Sequence, residues 1–185
     1  MKYQIIYADP PWKYNSRTNR KTRFSGGAEG HYSLMTMEEI KALPIPQLAT
    51  DNAVLFMWCT FPYLDDQIKL FEHWGFEYRT LGFSWIKTNP KNGKPFFGVG
   101  YYAKSNCEVC LMGIKGRMKP VSNKVSSVII APRREHSRKP DEVRTRIVEL
   151  FGDVPRVELF ARQKTEGWDV WGNEVDSDIT ITHFA

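Results

Sequence analysis

Apolar residues in this chain fall into short runs whose period switches between about two and about 3.6, separated by polar stretches rich in Gly and Pro. Ile5–Ala8, Ala53–Trp58, Phe76–Lys87, Cys107–Ile114, Val128–Ala131 and Val157–Phe160 read as strands. Thr36 with Glu39 forms a capping-box pattern for a short helix through Leu43, stopped by Pro44. Pro62 opens a second helix that reaches Trp74 before Gly75, and Pro140 opens a third, with Val143, Ile147, Val148 and Phe151 on adjoining faces before Gly152. Strands alternating with helices predict an α/β fold with a doubly wound, mostly parallel sheet. The pattern contains neither repeats nor a linker, so residues 1–175 are expected to form one domain and 176–185 a C-terminal tail.

Composition narrows the class. With 185 residues, 42% hydrophobic and 14% aromatic, the chain is globular, and no apolar run approaches the length of a membrane span. Met1–Gln4 lead directly into a strand without a signal-peptide pattern, which predicts a cytoplasmic protein with no membrane contact. Cys59, Cys107 and Cys110 are an odd set. Cys107 and Cys110 stand three apart within a strand, where their side chains point to opposite faces, so reduced core thiols are expected and no metal site.

The charge of +5 and pI near 9.1 suit a polyanionic partner. Its distribution says more: Lys13, Arg17, Arg20, Lys21 and Arg23 crowd one polar segment, and Arg17 and Lys21 are candidate contacts to nucleic-acid phosphates. Residues 18–30 read as a long loop beside the candidate site, of the kind that closes over substrates.

The candidate chemistry lies at Asp9-Pro10-Pro11-Trp12. A strand cannot run on through two prolines, and Pro10 holds Asp9 extended, so the carboxylate and nearby carbonyl oxygens are presented at a strand's carboxyl end, where open α/β sheets bind ligands. Such rigid acceptors suit alkylation of an exocyclic amine on a planar ring. If the Asp9 carboxylate and the Pro10 carbonyl hold the two amine hydrogens, the nitrogen pyramidalises and aims its lone pair at an electrophile, while Trp12 stacks on the base.

Read in order, Asp9–Trp12, Tyr32 with Met35-Thr36, Trp74–Phe76, Trp85–Asn89, Glu108–Gly113, His136–Glu142, Glu158–Arg162 and Trp171–Glu174 resemble the MTA-seventy family of adenine-N6 methyltransferases, with the look of a minimal bacterial or phage member. The resemblance implies a Rossmann-like fold in permuted order, the catalytic strand preceding the cofactor strand, and S-adenosyl-L-methionine as methyl donor. It explains why no G-x-G-x-x-G follows any strand. It also implies roles: Asp9, Pro10, Pro11 and Trp12 catalytic, with Asp9 and Pro10 shared with the donor; Lys139 and Ser137 at the donor's carboxylate; Phe160 and Arg162 lining the donor pocket; Asn173 and Glu174 on its ribose. Tyr32, Tyr102 and Glu108 fall where the target base is held.

The resemblance is imperfect, since Gln163-Lys164-Thr165 replaces the family's Pro-His-Asn after Arg162. The activity so implied is methyl transfer to N6 of adenine in nucleic acid, DNA in preference to RNA adenosine, by a monomer or homodimer. The alternative is a catalytically silent nucleic-acid-binding module or subunit of a methyltransferase complex, for which an intact acceptor motif has no use. A zinc nucleobase deaminase is excluded: His31, His73, His136 and His183 precede Ser33, Gly75, Arg138 and Ala185 by two positions, so there is no H-x-E, and Cys107 follows Asn106 rather than Pro.

Overall fold

The computed structural model describes residues 2–13, 34–100, 102–135 and 138–181. These form a seven-stranded sheet in the order β5-β3-β4-β2-β1-β6-β7, with β1 Tyr3–Ala8, β2 Ala49–Cys59, β3 Glu77–Thr88, β4 Cys107–Lys115, β5 Val128–Pro132, β6 Arg156–Leu159 and β7 Asp169–Trp171. Pairing is parallel throughout except at β4, which runs against both β2 and β3. The arrangement is the Rossmann-like α/β sheet expected, mostly parallel with one reversed strand.

Strand β1 lies at the centre of the parallel half, Ile6 facing Leu55 on one side and Val157 on the other. Alternation along β1 and β2 sends residues to two cores. Ile6, Ala8, Leu55 and Met57 pack with Ile40, Leu70, Phe71 and Trp74. Ile5, Tyr7, Val54, Phe56 and Trp58 pack with Val143, Ile147 and Phe151. Helices therefore cover both faces: α1 Met37–Lys41, α2 Ile45–Leu48 and α3 Leu64–His73 the first, α4 Glu142–Phe151 the second. Each large apolar side chain so buried contributes about 1.5–3 kcal/mol, which outweighs the modest helical propensity of such short segments.

The expected capping box is present, Thr36 Oγ1 accepting from Glu39 N while Glu39 accepts from Thr36 N. Gly75 and Gly152, at φ 78° and 88°, take the left-handed turns that end α3 and α4. Helix α2 and strand β7 were not anticipated; three or four residues carry too little period to register. The backbone also returns after β7, with Asp178 N–H on the Val170 carbonyl and Ile181 in the first core. None of the described helices is long and apolar enough to cross a membrane.

Candidate active site

The carboxyl end of β1 shapes the site. Beyond Ala8 the prolines halt the ladder, and Trp12 N–H turns back onto the Pro10 carbonyl at 2.9 Å. Met35 N–H donates to the Pro11 carbonyl at 2.8 Å and Lys13 N–H to the Met35 carbonyl at 2.9 Å, tying the motif to the segment that starts α1. Trp12 is only 8% exposed, and its indole N–H reaches the Trp58 carbonyl at 3.3 Å. Its ring is thus a fixed wall.

A cleft of about 370 Å³ opens above this turn, with Asp9, Pro10, Pro11 and Trp12 on one side and Lys87, Glu108 and Lys139 on another. The charges are interlocked. Lys139 Nζ lies 2.9 and 2.8 Å from the Asp9 oxygens and 3.2 Å from Glu108 Oε2, while Lys87 pairs with Glu108 Oε1. Burial disfavours the Lys139 ammonium, but Asp9 and Glu108 outweigh it and hold its pKa above the ordinary lysine value. Burial likewise pushes Glu108 up, and Lys139 with Lys87 more than reverses this, leaving its carboxyl below the usual range. Cys59, also on the cleft, is pushed up to about 12 by burial and is no nucleophile at neutral pH.

Two further cavities share Asp9. One, about 230 Å³, lies over the ends of β6 and β7 and is lined by Phe160, Arg162, Trp171, Gly172, Asn173 and Glu174. Phe160 has φ 60°, a left-handed conformation that costs a non-glycine residue about 1–2 kcal/mol and directs its ring edge-on to Trp171 at 5.3 Å. Gly172 passes so close to residue 161 that a Cβ there would stand 2.1 Å from the Ala161 carbonyl oxygen. Arg162 Nε is 3.5 Å from Glu174. The other cavity, about 140 Å³, has Arg138, Lys139, Arg144 and Arg162 with Asp9 and Glu158 in its walls. Within that wall Arg144 clasps Glu158 through two 2.6 Å bonds. An aromatic-walled recess beside a charged one, joined at a carboxylate, fits a ligand that is nucleoside at one end and amino acid at the other.

The structure brings Asp9, Pro10, Pro11, Trp12, Glu108, Lys139, Phe160, Arg162, Asn173 and Glu174 to these connected cavities. It does not bring Tyr102, which is 97% exposed and lines none of them. Arg17, Lys21, Tyr32 and Ser137 lie outside the described residues. Sequence reasoning passed over Lys87, although a lysine at the carboxyl end of the apolar run Phe83–Ile86 is a usable signal. It also passed over the Arg144–Glu158 pair, whose partners sit on separate elements. Among the described residues no group of three or more His, Cys, Asp or Glu side chains could hold a metal, and Cys107 and Cys110 are free thiols.

Sheet, reversed strand and carboxylate-ended β1 together define a Rossmann-like α/β protein with a polar cleft at the carboxyl end of its first strand. The sequence model of the MT-A70 family matches residues 3–174, and the chain belongs to that family. It is 34% identical to the Type II methyltransferase M.MunI of Mycoplasma sp over 198 residues, which cover 97% of this chain and 81% of that protein. It is 30% identical to the N(6)-adenosine-methyltransferase MT-A70-like protein of Arabidopsis thaliana and to the human N(6)-adenosine-methyltransferase catalytic subunit METTL3, over 94% and 95% of the chain. Those matches span only 24% and 28% of the eukaryotic proteins.

Proposed function

We propose that this chain transfers a methyl group from S-adenosyl-L-methionine to N6 of adenine in nucleic acid, with DNA as the substrate. One observation carries the reading: Asp9, rigid at the end of β1, is common to all three cavities, so a base in the largest and a donor spanning the other two would meet at its carboxylate. The relation to M.MunI, which covers most of both chains, favours DNA.

S-adenosyl-L-methionine, when bound, supplies an electrophilic methyl group on a sulfonium. The residues of the chain do the rest by placement. Asp9 keeps lone pairs beyond the two that Lys139 engages, and the Pro10 carbonyl keeps one beyond the Trp12 N–H, so both can accept an amine hydrogen. Trp12 and Pro11 wall the base in a fixed plane. Glu108 faces the base from β4. Lys139 receives the donor's carboxylate in exchange for part of its hold on Glu108, and Ser137 shares that role. Phe160 and Arg162 enclose the donor, and Asn173 with Glu174 accept from its ribose hydroxyls. Tyr32, Arg17 and Lys21 act on the substrate strand, as does Tyr102 from outside the cleft.

The test is transfer of labelled methyl to adenine in matched duplex DNA, single-stranded DNA and RNA. Wild type should label N6 of adenine in DNA, and Asp9→Ala should not, with an unchanged circular dichroism spectrum. Equal labelling by the variant removes Asp9 from the reaction.

A further inference from the structure

The described surface bears eight exposed large apolar side chains, and four of them stand in the two segments beside the cleft. Phe61, 55% exposed, follows β2 and lines the cleft itself. Phe97, Val99 and Tyr102 belong to the excursion between β3 and β4; Phe97 is 66% exposed. Two of these four, Phe61 and Phe97, are large aromatic rings left in water by the segments that border the cleft, which makes the pair informative.

Both segments are held in place. Buried Gln67 of α3 accepts from Thr60 N–H at 2.8 Å and donates to Thr60 Oγ1 at 3.1 Å, which fixes the turn carrying Phe61. In the excursion, Phe96 N–H donates to the Lys87 carbonyl and Gly98 N–H to the Ser105 carbonyl, both at 2.8 Å. Lys87 and Ser105 line the cleft, so Phe97, between these two anchors, stands at its edge. Phe96 turns inward under the Arg133 guanidinium, 4.2 Å away, and alternation turns Phe97 outward.

Charge selects the occupant. From Asn89 to Asn106 the sequence contains Lys91, Lys94 and Lys104 and no carboxylate. Aromatic rings interleaved with cations match a single nucleic-acid strand, whose bases stack on the rings while its phosphates meet the lysines. An acidic protein would meet the lysines as well, but the spacing of flat rings among cations suits stacked bases with phosphates between them.

We infer that Phe61 and Phe97 are stacking platforms for the nucleotides flanking the target adenine, so that the strand is bound unpaired across the cleft. This rests on the proposed adenine methylation. It adds two specificity-determining residues and a preference for substrates already open at the target, because a paired adenine must first be extruded from its stack.

The experiment uses the full chain and oligonucleotides with 2-aminopurine beside a single adenine, in single-stranded, bubble and fully paired form. Wild type should quench the probe and bind the open forms at least several-fold tighter than the duplex. Phe61→Ala and Phe97→Ala should each weaken open-form binding by about 5- to 100-fold. They should abolish part of the quenching and raise KM for the strand, while donor affinity by calorimetry stays at the wild-type value. Val121→Ala, an exposed residue bonded to the end of α4 through its backbone, is the control and should change none of these.

Variants that bind and quench like wild type overturn the inference, as does a wild type that prefers the closed duplex. Light scattering that shows a dimer lost in Phe61→Ala or Phe97→Ala also overturns it, in favour of a second copy of this chain on the rim. Methyl transfer to adenine by a wild type whose rim variants are silent leaves the proposed function standing and removes only the platforms. Absence of transfer to any substrate removes the proposed function itself.

Discussion

Asp9 and Lys139 are 130 positions apart in the chain, yet the lysine ammonium sits within 2.9 Å of both carboxylate oxygens. One residue ends the first strand and the other precedes the last helix, so their pairing joins the two ends of the fold at the site. Because Lys139 also reaches Glu108, it is the cation that keeps two carboxylates together in a largely buried space.

Lys139→Met should therefore cost more than a surface ion pair does. Removing one partner of a mostly buried pair leaves uncompensated charge, and a loss of about 2–4 kcal/mol is expected. Urea denaturation at pH 7 measures it. Adding Glu108→Gln to the variant should restore part of the loss, since one of the two stranded carboxylates is then neutral.

Glu108 gives a pH signature. Its pKa is held below the unfolded value by Lys139 and Lys87, so its stabilisation is complete above the unfolded value of about 4.3 and disappears as pH falls through the folded one. Melting temperatures should show Glu108→Gln less stable than wild type at pH 7 and drawing level with it as pH falls through the folded-state value. Lys139 has the opposite sign: its raised pKa makes its contribution complete below about pH 10.4 and lost as pH rises through the folded value. The acid limb should thus flatten in Glu108→Gln.

Arg144 and Glu158 are buried together, with side chains only 10% and 7% exposed. Arg144→Met should destabilise by about 3–5 kcal/mol because Glu158, whose carboxyl is already held above the usual range by burial, loses its partner and must either stay charged in the interior or take up a proton. The double variant Arg144→Met, Glu158→Leu should recover most of that. Chemical denaturation of the three proteins checks the order, and donor affinity measured alongside reports how far the pair also supports the charged recess.

Gly172→Ala tests the cradle between β6 and β7. The added methyl group collides with the Ala161 carbonyl, a backbone atom that cannot swing away, so the two strand ends must spread. A fall in donor affinity of roughly tenfold or more is expected, with a stability loss of about 1–3 kcal/mol typical of overpacking. Calorimetry with S-adenosyl-L-methionine and its demethylated product reads the first, thermal melting the second.

Much of this architecture is legible in the residues. Apolar runs at Ala53–Trp58 and Cys107–Ile114, Thr36 with Glu39, and the helix-ending Gly75 and Gly152 all report local preferences that the tertiary structure keeps. Asp9-Pro10-Pro11 announces a strand end with a carboxylate because proline acts on its immediate neighbours. The reversed direction of β4 is not legible, since a buried strand has the same pattern whichever way it runs. Nor is the chain of charges from Asp9 through Lys139 and Glu108 to Lys87, because it assembles residues from four separated segments. Tyr102, to which the resemblance gives a hold on the base, stands 97% exposed in the excursion between β3 and β4, a placement that local sequence pattern does not report.

The central position of β1 has a consequence for biosynthesis. Its neighbours are β2, which begins at Ala49, and β6, which begins only at Arg156. During translation β1 must wait for the emergence of Arg156–Leu159 before its second side is covered, so ribosome-bound intermediates carry a bare, highly apolar template. Premature termination before β6 should yield a product captured by chaperones or lost to inclusion bodies, and expression yield should depend on how quickly the final third emerges.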